Sequence, residues 1–297
     1  MLLKIKTMIR RFLNKILNTH RPSSYPYISS DSFRNLAQHI YDEALDFDPK
    51  NVRTGDIIFV RTNFLKDFVA KTNHLIDNPY ILISHNEDMG LGEEMKFLAD
   101  DSKVIHWFAE NLLFEHKKIT PIPIGIYSRV DDKKNVGIES IKKYADKKDK
   151  LNRIFYSFWV RTNFKKRIPI LEEVKKITLA DTLTEEEKEE ILKEDYLKKI
   201  SGYKFVISPP GNGLDCHRTW EVLYLKSIPI VEESVPTNYW KKLGIPLLVI
   251  SNWSELKNLS VSDIEKDYNE LSNQMNCPAL FMDYWIAEIK KYQNDYR

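Results

Sequence analysis

Short apolar runs rich in β-branched and aromatic residues recur along the chain, separated by polar turns and by longer stretches of helical period. In the first half these runs are Asp56–Val60, Tyr80–Ser84, Val104–Phe108 and Ile122–Ile126, with helical segments around Phe64–His74 and Glu93–Leu98. The second half restarts the theme at Ile154–Val160, Phe205–Ser208, Ile228–Val231 and Leu247–Ile250. Its helical segments include Leu183–Ile200, Arg218–Leu225 and Val261–Met275. Strands alternating with helices predict parallel sheets covered on both faces. Two such sheets in series predict an α/β protein of two Rossmann-like domains facing a central cleft. Residues 131–150, DDKKNVGIESIKKYADKKDK, are charged and short of large apolar side chains, and read as a connection or an exposed helix. The aromatic stretch Phe281–Tyr296 reads as an amphipathic helix that packs.

The first 21 residues change the picture by charge. Lys4, Lys6, Arg10, Arg11, Lys15 and Arg21 meet no acid before Asp31. At about 100° per residue, Leu2, Ile5, Met8, Ile9, Phe12, Leu13, Ile16 and Leu17 share one face, with Lys4, Arg10, Arg11, Asn14 and Lys15 on the other. Such a helix either lies in an anionic membrane interface or docks on its own domain. It lacks the uninterrupted apolar region and small-residue cleavage site of a signal peptide.

Composition narrows the class. At 297 residues, length favours roughly two domains of about 150 residues, and 42% hydrophobic with 30% charged residues is ordinary for a globular protein. The longest apolar runs, such as Ile57–Val60, are too short to cross a bilayer. A net charge of +2 gives no argument for nucleic acid. Two cysteines, Cys216 and Cys277, exclude a disulfide framework and suit a reducing cytosol.

The most informative stretch is Phe205 to Glu233, FVISPPGNGLDCHRTWEVLYLKSIPIVEE. Pro209-Pro210 stops a buried strand, and Gly211-Asn212-Gly213 permits a turn in which backbone N–H groups approach a ligand. A helix is expected to start near Asp215 as its N-cap, with Arg218 in the first turn and Glu221 on the same face. Free N–H groups and the helix dipole attract an anion, most naturally a phosphate. An Arg there opposes the dipole but serves a diphosphate, and Glu221 can accept from two ribose hydroxyls. The structural alternative is a glycine turn with an Arg218–Glu221 pair on a solvated face.

The order strand, Pro-Gly turn, His-Arg-x-x-Glu helix, apolar segment, Ile-Pro-Ile-Val strand resembles the exostosin-like glycosyltransferases. The match runs from Tyr203 to Leu256, including Ser251-Asn252-Trp253-Ser254-Glu255-Leu256, and is weaker at Pro79–Asp88 and Ile105–Ile126. The family usually has a Gly-Cys pair before Ile-Pro, where this chain has Lys226-Ser227. The resemblance implies a GT-B arrangement, with a nucleotide sugar bound mainly by the C-terminal domain, and inverting transfer. It implies that Arg218 holds the donor diphosphate, Glu221 the ribose, and the Gly211–Gly213 backbone the phosphates or sugar. The expected organisation is a basic helix over 1–20, an acceptor-side domain over 21–130, a connection over 131–150, a nucleotide-sugar domain over 151–275 and a final helix over 276–297.

Two further clusters fall at strand carboxyl ends, where open α/β sheets bind ligands. Arg161, Asn163 and Arg167 are a second tier of diphosphate contacts, while Lys165 and Lys166 read equally as solvated lysines. Ser84-His85-Asn86-Glu87-Asp88 carries the candidate base, with Glu87 and Asp88 ahead of His85, or is a self-satisfied capping loop. Asp46-Phe47-Asp48 is expected to be a surface turn rather than a metal site, and Cys216-His217 lacks further metal ligands. His106 is expected in the core.

The expected function is transfer of a sugar from a nucleotide-sugar donor to a hydroxyl of a surface glycan or glycolipid, without metal or other cofactor. The expected location is the cytoplasm, with residues 1–18 offering peripheral attachment to an anionic membrane face, and no nucleic-acid partner. The alternatives are a non-catalytic nucleotide-sugar or glycan-binding protein on the same scaffold, and transfer of a phosphosugar.

Overall fold

A computed structural model describes residues 21–127 and 136–296, so the basic amphipathic segment lies outside the described residues. Two five-stranded parallel sheets make up the fold. The first contains β1 (His39–Tyr41), β2 (Asp56–Arg61), β3 (Tyr80–His85), β4 (Val104–Ala109) and β5 (Ile119–Pro121), in that spatial order. In the second, β6 (Leu151–Tyr156), β7 (Ala180–Thr182), β8 (Tyr203–Ile207), β9 (Ile228–Glu232) and β10 (Leu248–Ile250) are ordered β7-β6-β8-β9-β10. This is the doubly wound order, with its direction of winding reversing between β6 and β8. The chain is therefore an α/β protein of two Rossmann-like lobes.

Strand residues alternate between two cores in each lobe, because successive side chains point to opposite faces. In the first sheet Ile58, Val60 and Leu82 meet Leu65, Phe68 and Leu98 of the intervening helices Leu65–Lys71 and Lys96–Asp100. Ile57, Phe59, Ile81 and Ile83 point the other way, against Phe33 and against Met282, Trp285 and Ile289 of the helix Met282–Asn294. A sheet whose strands follow one another in sequence winds in one direction and leaves one face uncovered by its own crossovers. The last helix covers that face. Tyr292 stacks on His106 at 3.8 Å between ring centroids, and Gln293 donates to the Gly55 carbonyl at 3.0 Å.

The structure differs from the sequence expectations in several places. Ile122–Ile126 is not a strand: Pro121 and Pro123 cannot donate to a ladder, and the segment runs along the seam between the lobes. Gly125 has φ +69°, and a Cβ there would meet the Ile28 carbonyl oxygen at 2.1 Å. The strand expected over Ile154–Val160 ends at Tyr156. The helix expected over Leu183–Ile200 is two, Glu185–Glu190 and Lys193–Ile200, broken by extended Ile191 and Leu192. Glu189 and Glu190 close the first of these against its own dipole. In the charged 131–150 segment, Val136–Tyr144 is a helix with Ile138 and Ile141 buried, tied to Glu194 through Lys143 at 2.8 Å and Tyr144 at 3.0 Å. β1 and β7, three residues each, were too short to show a period.

Candidate active site

Both loops singled out by sequence meet at the seam. The β6–Phe164 and β8–His217 connections leave the carboxyl ends of the two strands that flank the reversal in the second sheet, the position where such sheets bind ligands. Opposite them stands the loop following β3. Together they enclose a cavity of about 270 Å³, lined among others by Asp88, Tyr127, Trp159, Lys193, Tyr196, Arg218 and Glu221.

The turn between β8 and the next helix is built by hydrogen bonds to its carbonyls. Arg167 is buried and its guanidinium donates to the carbonyls of Pro210 at 2.8 Å, Trp159 at 2.9 Å and Pro209 at 3.4 Å. Asn163 accepts from Lys166 N–H at 3.2 Å as an N-cap, and donates to Gly211 O at 2.8 Å. Both residues thus shape the Pro-Pro-Gly turn. Arg161 is exposed over the Trp159 ring at 4.2 Å and does not line the cavity. Burial and the neighbouring Arg218 push the Arg167 guanidinium below its ordinary range.

The helix begins at His217, and its N-cap is Cys216, not Asp215. The Asp215 carboxylate instead turns inward and accepts three N–H groups: Trp220 Nε1 at 2.7 Å, and the backbones of Cys216 and Ile124 at 2.8 Å each. Burial pushes it up to about 7 despite those donors. It thereby ties Ile124 to the helix, and Asp215 also lines the cavity. Arg218 lies in the first turn and donates through Nε to the Tyr196 hydroxyl at 2.8 Å. Among the described residues its Nη1 is buried without a hydrogen-bond partner. Arg218 and Glu221 do not pair: Glu221 is buried and bound to Lys193 Nζ, so the solvated-face alternative fails. Burial opposes the Lys193 charge, but Glu221 beside it holds the ammonium above the ordinary lysine range.

Across the cleft, Asp88 is exposed and accepts from Asn212 Nδ2 at 3.0 Å. Glu87 turns away, into an ion pair with Arg61 at 3.5 Å. His85 is fully buried with both ring nitrogens engaged, Nδ1 by Glu110 at 3.0 Å and Nε2 by the Pro123 carbonyl at 2.9 Å. Burial pushes its pKa down, yet Glu110 more than offsets this and the net direction is up. No substrate reaches either nitrogen in this arrangement. Gly211 and Gly213 both line the cavity, but Gly213 is pressed against Asn111.

Sequence reasoning missed Lys193 and Tyr196, which lie on a helix remote from every motif. It also missed Tyr127 and Trp159, and no local pattern marked any of the four. Asp48 caps a surface turn by accepting from Lys50 N–H at 3.0 Å, and His106 is buried in β4. Among the described residues no three His, Cys, Asp or Glu side chains form a metal-sized group, and no helix is long and apolar enough to cross a membrane.

Scans against known families and curated proteins return no match. Among solved structures, the chain is similar to an α,α-trehalose-phosphate synthase (UDP-forming) from Burkholderia vietnamiensis, with TM-score 0.44 and 11% identity over 81% of this chain and 75% of that one. It is also similar to an α1,3-fucosyltransferase solved with GDP-fucose, with TM-score 0.43 and 11% identity over 84% of this chain and 80% of that one.

Proposed function

We propose that the chain is a glycosyltransferase that moves a sugar from a nucleotide-sugar donor to an acceptor hydroxyl, by direct displacement and without a bound metal. The observation that carries this reading is Arg218: a buried guanidinium Nη1 without a partner among the described residues, beside a cavity at a helix N-terminus and at the winding reversal of the second sheet. Burying such a donor unpaired is costly unless a ligand completes it. A diphosphate does so, with the helix dipole and Lys193 adding positive potential. Glu221, oriented by Lys193, would accept from the ribose hydroxyls, and the side chains of Tyr127 and Trp159, which line the cavity, would contact the base or sugar.

Of the three base candidates, Asp88 alone lines the cavity and faces the donor turn. As the acceptor oxygen attacks the anomeric carbon, Asp88 takes the hydroxyl proton and the nucleoside diphosphate leaves with both bonding electrons. Its charge is held by Arg218, Lys193 and the N–H groups of the first turn. The acceptor would be a hydroxyl of a surface glycan or glycolipid, met in the cytoplasm at a membrane face. The donor domain would then be 151–275 and the acceptor side 21–130.

The test is turnover of UDP-glucose, UDP-galactose and GDP-mannose with saccharide acceptors. Nucleoside diphosphate rather than monophosphate should appear, and the product should have inverted anomeric configuration by NMR. Asp88→Asn should lower turnover by about 10²–10⁴-fold, the usual contribution of a general base. Undiminished turnover in Asp88→Asn, or retained configuration, contradicts the mechanism.

A further inference from the structure

The base-bearing loop and the donor turn belong to different lobes, so something must fix their separation. One side chain touches both. Asn111, just after β4, is buried, donates through Nδ2 to the Glu87 carbonyl at 3.1 Å and accepts through Oδ1 from the Asp215 N–H at 3.0 Å. Glu87 directly precedes Asp88, and Asp215 lies between the glycine turn and Arg218. We infer that Asn111 is a positioning residue, which sets the distance between the proton acceptor and the donor diphosphate by hydrogen-bonding the backbones that carry them.

Three observations converge on that role. Asn111 itself is not among the residues lining the cavity, so it acts through its neighbours. Its backbone is left-handed at φ +53°, a conformation that Asn tolerates better than most residues. Gly213 leaves the space the amide occupies, because a Cβ there would lie 2.6 Å from Asn111 Nδ2. With both amide groups engaged, Asn111 cannot swing aside without giving up buried hydrogen bonds. The second glycine of the turn therefore makes room for the interlobe contact and also lines the cavity. The Asp88–Asn212 bond at 3.0 Å adds a second, exposed link between the same two loops.

The role in transfer rests on the proposed function, while the link itself does not, and the experiment separates them. Asn111→Gly removes the amide but keeps the left-handed backbone free of strain. Gly213→Ala keeps the amide and displaces it. Amide hydrogen exchange should accelerate in both variants, by about tenfold or more, at residues 86–91 and at 211–216 together. On the nucleotide sugar that the wild type turns over, kcat should fall about 10–100-fold, the scale of an ångström misplacement, with donor KM changed by less than about threefold. Faster exchange in one segment alone overturns the link, whatever the wild type catalyses. Faster exchange in both with unchanged kcat overturns the positioning role. A large rise in donor KM, together with a collapsed melting temperature, would reduce Asn111 to ordinary core packing.

Discussion

At Lys226, backbone conformation and residue type disagree. It follows the helix His217–Tyr224 with φ +56°, where the resemblance expects glycine. A left-handed non-glycine residue costs about 1–2 kcal/mol, part of which glycine returns through its larger unfolded-state entropy. The ion pair from Lys226 Nζ to Asp146 at 2.5 Å is exposed on both sides, and such pairs contribute little. Lys226→Gly is therefore expected to stabilise the protein by about 0.5–1 kcal/mol in urea unfolding; a loss of stability would show that the Asp146 pair outweighs the strain. Next to it, buried Ser227 donates to the Tyr203 carbonyl at 2.7 Å and accepts from half-buried Lys150 at 3.0 Å, so its hydroxyl is satisfied in the core away from the cavity. At this scale the sequence was readable where a residue's chemistry and conformation coincide, as for Arg218. It misled for Asp215, whose side chain could serve a cap or a seam equally well, and only the fold chose.

Among the elements, the last helix was legible as packed but not as to where. Its destination depends on the winding of a sheet nearly two hundred positions earlier, which no local period encodes. The same element creates a pH dependence. His106 is buried against Tyr292 with Nε2 bonded to Thr120 Oγ1 at 2.8 Å, and burial pushes its pKa down to about 4. The native state thus binds fewer protons than the unfolded chain between about pH 4 and 6.5, so stability is present above that window and lost as pH falls through it. The loss reaches roughly 3 kcal/mol at most. His106→Gln should escape it: its stability relative to wild type should rise steadily from pH 6.5 to pH 4 in urea unfolding. A difference independent of pH would mean that the imidazole is not held neutral by its site. The broken helix before Ile200 follows the opposite pattern, a period readable in sequence but interrupted by Glu189 and Glu190 at a dipole's negative end.

For the whole molecule, alternation of apolar runs was enough to predict two parallel sheets, because strands buried on both faces must be apolar throughout. It was not enough to place the site. The seam is made of contacts between segments about a hundred residues apart, such as Ile124 with Asp215 and Asn111 with Asp215. Lys193 and Tyr196 enter the cavity from a third direction. These parts meet in one cavity, and on the proposed function Arg218 binds the donor diphosphate there. Isothermal titration of UDP, GDP and ADP into the wild type and Arg218→Ala, with EDTA present throughout, tests it most directly. The account predicts that at least one nucleotide binds the wild type and that Arg218→Ala weakens it by about 1.5–3 kcal/mol, the range for a hydrogen bond to a charged group. No binding by any of the three, binding abolished by EDTA, or equal affinity in the two proteins would contradict it.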